Sequence, residues 1–161
     1  MNYVSKNAHI SLDGQYRYTL EREWDTGQGA CVFIGLNPST ADAKEDDPTI
    51  RRCVAFAKAW GYKRLVMVNA YAFRVTDPKH LKKITDPVGQ VNDIVLRGVC
   101  REAKMVVACW GNNIERIRQD NLLLMLDNLH VLRLTKKGFP AHPLYLPGNL
   151  TPVVWDHYLR F

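Results

Sequence analysis

Two asparagines and one histidine are the residues of this chain whose type and setting most suggest chemistry. Asn37 leaves the apolar run Cys31-Val32-Phe33-Ile34-Gly35, and Asn69 closes the run Leu65-Val66-Met67-Val68. His142 lies between Pro140 and Pro143, whose rings restrict the backbone that carries the imidazole. An amide pairs a donor with an acceptor, and a neutral imidazole does the same. Each residue also has a plainer use. Asn-Pro favours turn initiation. A buried amide left unpaired costs about 1–3 kcal/mol, so Asn69 needs a partner, which is either structural or a ligand.

The elements that must position these residues read as follows. His9–Leu12 and Tyr16–Leu20 alternate apolar and polar around Asp13-Gly14, which predicts an N-terminal β-hairpin. Short apolar runs predict buried strands over 31–35, 65–68, 105–110 and 130–134. Asp47 as N-cap and Pro48 at the first position open a helix that runs to Trp60 and closes at Gly61. Pro87 opens a second long helix carrying Val91, Ile94, Val95, Val99 and Cys100, and residues 114–126 form a third. A short helix is expected at 78–83 and a short strand or turn at 153–158. Strands alternating with helices predict βαβ units, right-handed crossovers and helices on both faces of a parallel sheet. The strand-end loops then converge on one edge, where open α/β sheets bind ligands. These loops carry Asn37-Pro38-Ser39, Asn69-Ala70-Tyr71, Trp110-Gly111-Asn112 and Thr135…His142-Pro143.

The chain has 161 residues, 47% of them hydrophobic, which suits one domain over 1–161 with a full core. Its net charge of +6 favours a polyanionic partner. No run of about 18 apolar residues offers a membrane span, and the first residues lack the apolar core of a signal peptide. Cys31, Cys53, Cys100 and Cys109 sit in apolar stretches without Cys-x-x-Cys spacing, so buried thiols in the cytoplasm are expected. The five histidines have no paired spacing, and no phosphate loop, Gly-x-Gly-x-x-Gly or nucleophile elbow occurs. No metal and no bound cofactor are expected. Asp42, Asp46 and Asp47 make an acidic cluster in a basic chain, one of them a cap and the others facing a polar ligand or solvent.

Four motifs in order, Gly35-Leu36-Asn37-Pro38, Leu65-Val66-Met67-Val68-Asn69-Ala70, Val106-Val107-Ala108-Cys109-Trp110-Gly111 and His142-Pro143, resemble the uracil-DNA glycosylase superfamily. The longer stretches Gly35–Asp42 and Asp46–Cys53 also resemble the signature of an uncharacterised domain family of bacteria and their phages. The superfamily resemblance implies an α/β fold, a three-layer sandwich around a central, mostly parallel sheet. It implies an N-glycosylase or related hydrolase in DNA repair, which acts on a modified or damaged base. DNA is favoured over RNA, and a nucleobase-containing small molecule is the other ligand class; the protein is expected to be a monomer. By position, Asn37 orients the attacking water, Asn69 reads the pyrimidine edge, His142 stabilises the departing base anion and Gly111 leaves room at the crevice. Gly35, Leu36, Pro38, Ser39, Tyr71 and Pro143 complete the substrate-binding set.

Departures from the superfamily pattern shape the expectation. Asn37 cannot take a proton as a carboxylate can, so Asp42 or another acid must supply any base. Ser39 leaves more room than a tyrosine, so a base larger than uracil fits. Leu144 or Tyr145 is a candidate wedge in the base stack, or simply packs. Arg51, Arg52, Lys136 and Lys137 are candidate phosphate contacts. Two rival functions are a binding module without chemistry and a hydrolase of free nucleosides or nucleotides.

Overall fold

The structure is a computed structural model that describes residues 2–39 and 44–157. Seven strands form one sheet: β1 (Ser5–Ile10), β2 (Arg17–Glu23), β3 (Ala30–Gly35), β4 (Arg64–Asn69), β5 (Met105–Ala108), β6 (His130–Val131) and β7 (Val153–Val154). Their spatial order is β1-β2-β4-β3-β5-β6-β7. The four inner strands β4, β3, β5 and β6 are parallel. The pairs β1–β2, β2–β4 and β6–β7 are antiparallel.

The sheet is therefore mixed rather than mostly parallel. The expected hairpin forms around Asp13-Gly14, but it also docks along β4 and extends the sheet by two strands. At the other edge β7 turns back along β6. Strands β5 and β6 are shorter than their apolar runs, which continue past the paired residues as buried loop: Cys109, Trp110 and Leu132 lie in the core.

Three α-helices cover the sheet: α1 (Pro48–Ala59), α2 (Asn92–Glu102) and α3 (Arg116–Met125). Alternate residues of a strand face opposite sides. On one side Cys31, Phe33, Leu65 and Met67 pack with Ile50, Cys53, Val54 and Phe56 of α1. On the other, Val32, Ile34, Val66 and Val68 pack with Leu96 of α2 and Leu122 of α3. Burial on both faces explains why the inner strands read as unbroken apolar runs. None of the helices among the described residues is long and apolar enough to cross a membrane.

Helix α2 starts five residues later than Pro87. The carbonyls of Pro87 and Val88 accept hydrogen bonds from the amides of Phe73 and Ala72, both at 3.1 Å, and Gly89 takes φ +94°. That segment bends at Pro87 and Val88 and its carbonyls are tied to the chain leaving β4, so it does not wind into helix. The helix then begins with buried Asn92, whose Nδ2 donates to the carbonyls of Asn69 (3.0 Å) and Ala70 (3.3 Å). Arg118 of α3 donates from Nε to the Ala70 carbonyl at 2.9 Å and pairs through Nη2 with Asp93 at 2.7 Å. Two helices thus clamp the exit of β4, where Asn69 sits.

Replacing Arg118 removes a buried hydrogen bond and one half of an ion pair. Arg118→Leu is expected to lower unfolding free energy by about 1–3 kcal/mol, whereas Arg133→Leu, at an exposed position, changes it by less than about 0.5 kcal/mol. Urea unfolding of the two variants checks the difference.

Candidate functional site

Strands β4 and β5 flank β3 on opposite sides, so the chain changes direction across the sheet at β3. Ligands of open α/β sheets bind beside such a point, outside the carboxyl ends of the strands. A cavity of about 660 Å³ lies there. Asn37, Asn69 and His142, far apart in sequence, all line it, together with Gly35, Leu36, Pro38, Ser39 and Gly111.

Register places Asn69. In the parallel pair β3–β4, Gly35 stands opposite Asn69. A Cβ on Gly35 would come within 2.8 Å of Met67 Cε and 2.9 Å of Asn69 Oδ1, so glycine is what lets the amide lie against β3. The Asn69 side chain is almost fully buried, and its Nδ2 has no hydrogen-bond partner. Its backbone carbonyl accepts from Asn92 Nδ2. Asn69 is among the residues that line the cavity, and its side-chain donor is buried there without a partner.

Asn37 has a structural task that sequence alone did not separate from function. Its Nδ2 donates to the carbonyls of Val75 at 2.7 Å and Pro38 at 3.1 Å, which ties the loop after β4 to the loop after β3. The side-chain oxygen is the group left for a ligand or a water.

His142 opens the short 3₁₀ turn Pro143–Tyr145 and acts as its cap: the amide of Leu144 donates to Nδ1 at 3.2 Å. In the neutral ring this puts the proton on Nε2. Burial pushes the imidazole pKa below its ordinary value, and the negative charge of Asp47 offsets part of that. The ring is therefore neutral near pH 7, with one fixed donor. Arg52 of α1 anchors the turn by donating to the carbonyls of Pro143 and Leu146.

Two charged residues complete the wall. Asp47 caps α1, with Oδ1 accepting from the Ile50 amide at 2.8 Å and Oδ2 from the Ser39 hydroxyl at 3.0 Å. It is the one carboxylate among the described residues that line the cavity. Arg17 of β2 lies buried on the same wall. Burial draws its guanidinium pKa down to about 10, opposed by Asp47 and reinforced by Arg74 and Arg22. Apolar surface comes from Ile50, Met67, Trp110 and Leu146; the Trp110 indole N–H is committed to Gln119 Oε1 at 2.8 Å.

Other expected residues fall elsewhere. Tyr71 and Pro143 are not on the cavity wall; the Tyr71 hydroxyl accepts from the Glu115 amide at 3.2 Å and supports the loop behind the site. Asp42 lies outside the described residues. Arg51, Lys136 and Lys137 are exposed, whereas Arg52 is engaged with the His142 turn. Sequence reading missed Arg17, because its place depends on the hairpin docking along β4. It took Asp47 only as a cap or an acidic surface residue, though Asp47-Pro48 at a helix start facing the strand ends was a signal. Among the described residues no three His, Cys, Asp or Glu side chains come together as a metal-binding set.

Fold and cavity together define an α/β protein with a strand-end cavity whose lining mixes polar and apolar residues and includes one acid, Asp47, and one arginine, Arg17. Residues 17–144 match the family described as protein of unknown function DUF1643, and the chain belongs to that family. No curated protein and no solved structure matches the chain.

Two outcomes follow from this geometry. Gly35→Ala must displace Met67 or Asn69 and is expected to cost about 1–3 kcal/mol, seen as a lower midpoint in urea. The stability contributed by the buried neutral ring of His142 is complete above about 6.5, the ordinary histidine value, and is lost as pH falls from there toward the folded pKa. Unfolding curves between pH 7.5 and 5 measure this, and His142→Gln should flatten the slope.

Proposed function

We propose that this cavity recognises a nucleobase and hydrolyses its N-glycosidic bond, in an architecture of the three-layer uracil-DNA glycosylase type. One observation carries the reading. A buried amide with an unpartnered donor, a fixed neutral imidazole donor and apolar walls share one cavity. Such walls accept a flat ring, and the unpartnered amide gains most from a ligand with a matching acceptor.

The chemistry divides between two sides of the bond. Cleavage builds negative charge on the base and positive charge on the sugar. His142 Nε2–H donates to a base oxygen and stabilises the anion without itself carrying charge. Asp47, fixed by its cap and by Ser39, opposes the positive charge at the sugar. Asn37 Oδ1 orients the water, whose oxygen bonds the sugar carbon as the C–N bond breaks and its electron pair leaves on the base. Asp47 accepts the proton that the water gives up, and so takes the part of base that the sequence offered to Asp42. Exposed Leu144 and Tyr145 stand at the rim, where an extruded base would enter. Arg51, Lys136 and Lys137 would meet phosphates.

A second reading, binding without chemistry, is favoured by the engagement of Asn37 with two backbone carbonyls. A single experiment separates the two. The protein is incubated with oligonucleotides carrying uracil, hypoxanthine or a substituted pyrimidine, then with alkali to break the strand at abasic sites. Breaks are expected with the wild type, reduced at least about 100-fold in His142→Ala, as for a lost preorganised donor. Asn is as good an N-cap as Asp, so Asp47→Asn keeps the cap on Ile50 while removing the charge and the acceptor for the Ser39 hydroxyl; its breaks should fall while the protein stays folded. Binding that weakens steeply with salt, without breaks on any oligonucleotide, would establish the binding module instead.

A further inference from the structure

We infer that the outer part of the cavity, where Asn112 meets Thr135, is a subsite for an uncharged oxygen-bearing group carried by the ligand beyond the base ring. The inference rests on the nucleobase reading and narrows its substrate class to bases or nucleosides with a hydroxyl or carbonyl at that end.

Size is the first argument. Cavities of about 300–1,000 Å³ enclose drug-sized ligands, and this one measures about 660 Å³. A bare pyrimidine is smaller than that, and the lining extends beyond Asn69 and His142 to Gly111, Asn112, Asn113 and Thr135 on the loops that follow β5 and β6.

The wall on that side is built to present a donor. Thr135 Oγ1 donates to Asn112 Oδ1 at 2.7 Å. This bond fixes one edge of the amide: Oδ1 accepts from Thr135, which leaves the Nδ2 hydrogens as the donors that Asn112 offers. The same hydroxyl accepts from the Phe139 amide at 3.2 Å, so the threonine cannot rotate away without breaking two bonds. Backbone bonds make the platform stiff. Thr135 N donates to the Phe139 carbonyl, Gly138 N to the Thr135 carbonyl and Gly111 N to the Pro140 carbonyl, at 2.8, 2.9 and 2.8 Å. A donor already held in place binds without the cost of ordering it.

Charge selects the partner. Gly111, Asn112, Asn113 and Thr135 carry no ionisable group, and Lys136 and Lys137, which follow Thr135 in the chain, are not among the residues that line the cavity. A phosphate or carboxylate is held best by charge-assisted bonds from Arg or Lys, and the cavity's arginine, Arg17, arises from β2 at the far side of the sheet from β5. A neutral hydroxyl or carbonyl oxygen suits the Asn112 amide. Such an oxygen reaches the subsite from a substituent on the ring or from the sugar of a nucleoside.

The test is equilibrium binding of the full chain, by calorimetry, to uracil, 5-hydroxymethyluracil and deoxyuridine. We expect 5-hydroxymethyluracil to bind several-fold to about tenfold more tightly than uracil, the yield of one added hydrogen bond. Asn112→Ala should bring that ratio close to one. Thr135→Val, which releases the amide but keeps the side-chain shape, should lower it in part. A gain with deoxyuridine alone, also abolished in Asn112→Ala, assigns the subsite to the sugar. Equal affinity for all three compounds, or gains that persist in Asn112→Ala, overturns the subsite and leaves base recognition standing. Failure of all three to bind the folded protein overturns base recognition and the subsite with it.

Discussion

The pairing of Gly35 with Asn69 is the constraint on which the site depends. Strands β3 and β4 run parallel over six residue pairs, from Ala30↔Arg64 to Gly35↔Asn69. A slip of one residue would send every side chain of one strand to the other face. Asn69 would then leave the cavity and lose the room that Gly35 gives its amide. The register is held by burial on both faces of these strands and by the clamp that Asn92 and Arg118 place on the carbonyls at the end of β4. A core that fixes register thereby fixes an amide in a cavity.

A second balance concerns charge. Arg17 and Asp47 approach the cavity from different elements, a hairpin strand and a helix start, and the charge of Asp47 opposes the burial that draws the Arg17 pKa down. Asp47 also reaches His142 electrostatically, yet burial of the ring outweighs it and keeps the imidazole neutral. The result is a site that holds one negative charge, one positive charge and one uncharged donor at stated positions. The proposed bond cleavage would use the acid and the uncharged donor. Arg22 performs a related task behind the site. Fully buried, it donates from Nε to Asp46 at 2.7 Å, while the Tyr3 hydroxyl bonds the other oxygen of the same carboxylate. The acidic segment ahead of α1 is thus fastened to the hairpin, and Asp47 with it.

Much of this was readable in the chain. Asp13-Gly14, the unbroken apolar runs at 31–35 and 65–68, and Asp47-Pro48 have local causes, so they gave the hairpin, the inner strands and the start of α1. The rule that strand ends converge brought Asn37, Asn69 and His142 to one cavity before any geometry was known. The failures are all long-range. Pro87 looks like a helix start, but the carbonyls of Pro87 and Val88 are taken by the amides of Phe73 and Ala72. Tyr71 sits in a strand-end loop but turns its hydroxyl to Glu115. Arg17 reads as one more polar residue of a hairpin, and only the antiparallel docking of β2 on β4 brings it to the site. The proportion of antiparallel pairing was hidden for the same reason, since where a hairpin docks is decided by the sheet edge it meets.

The most direct measurement is the ¹⁵N-edited spectrum of the Asn69 side-chain amide during titration with uracil and 5-hydroxymethyluracil. A buried donor that a base completes should show both amide proton signals moving with the added compound and exchanging more slowly with solvent at saturation. A base that binds the protein while the Asn69 amide signals stay unchanged would contradict the account, because the ring would then be read by some other part of the molecule.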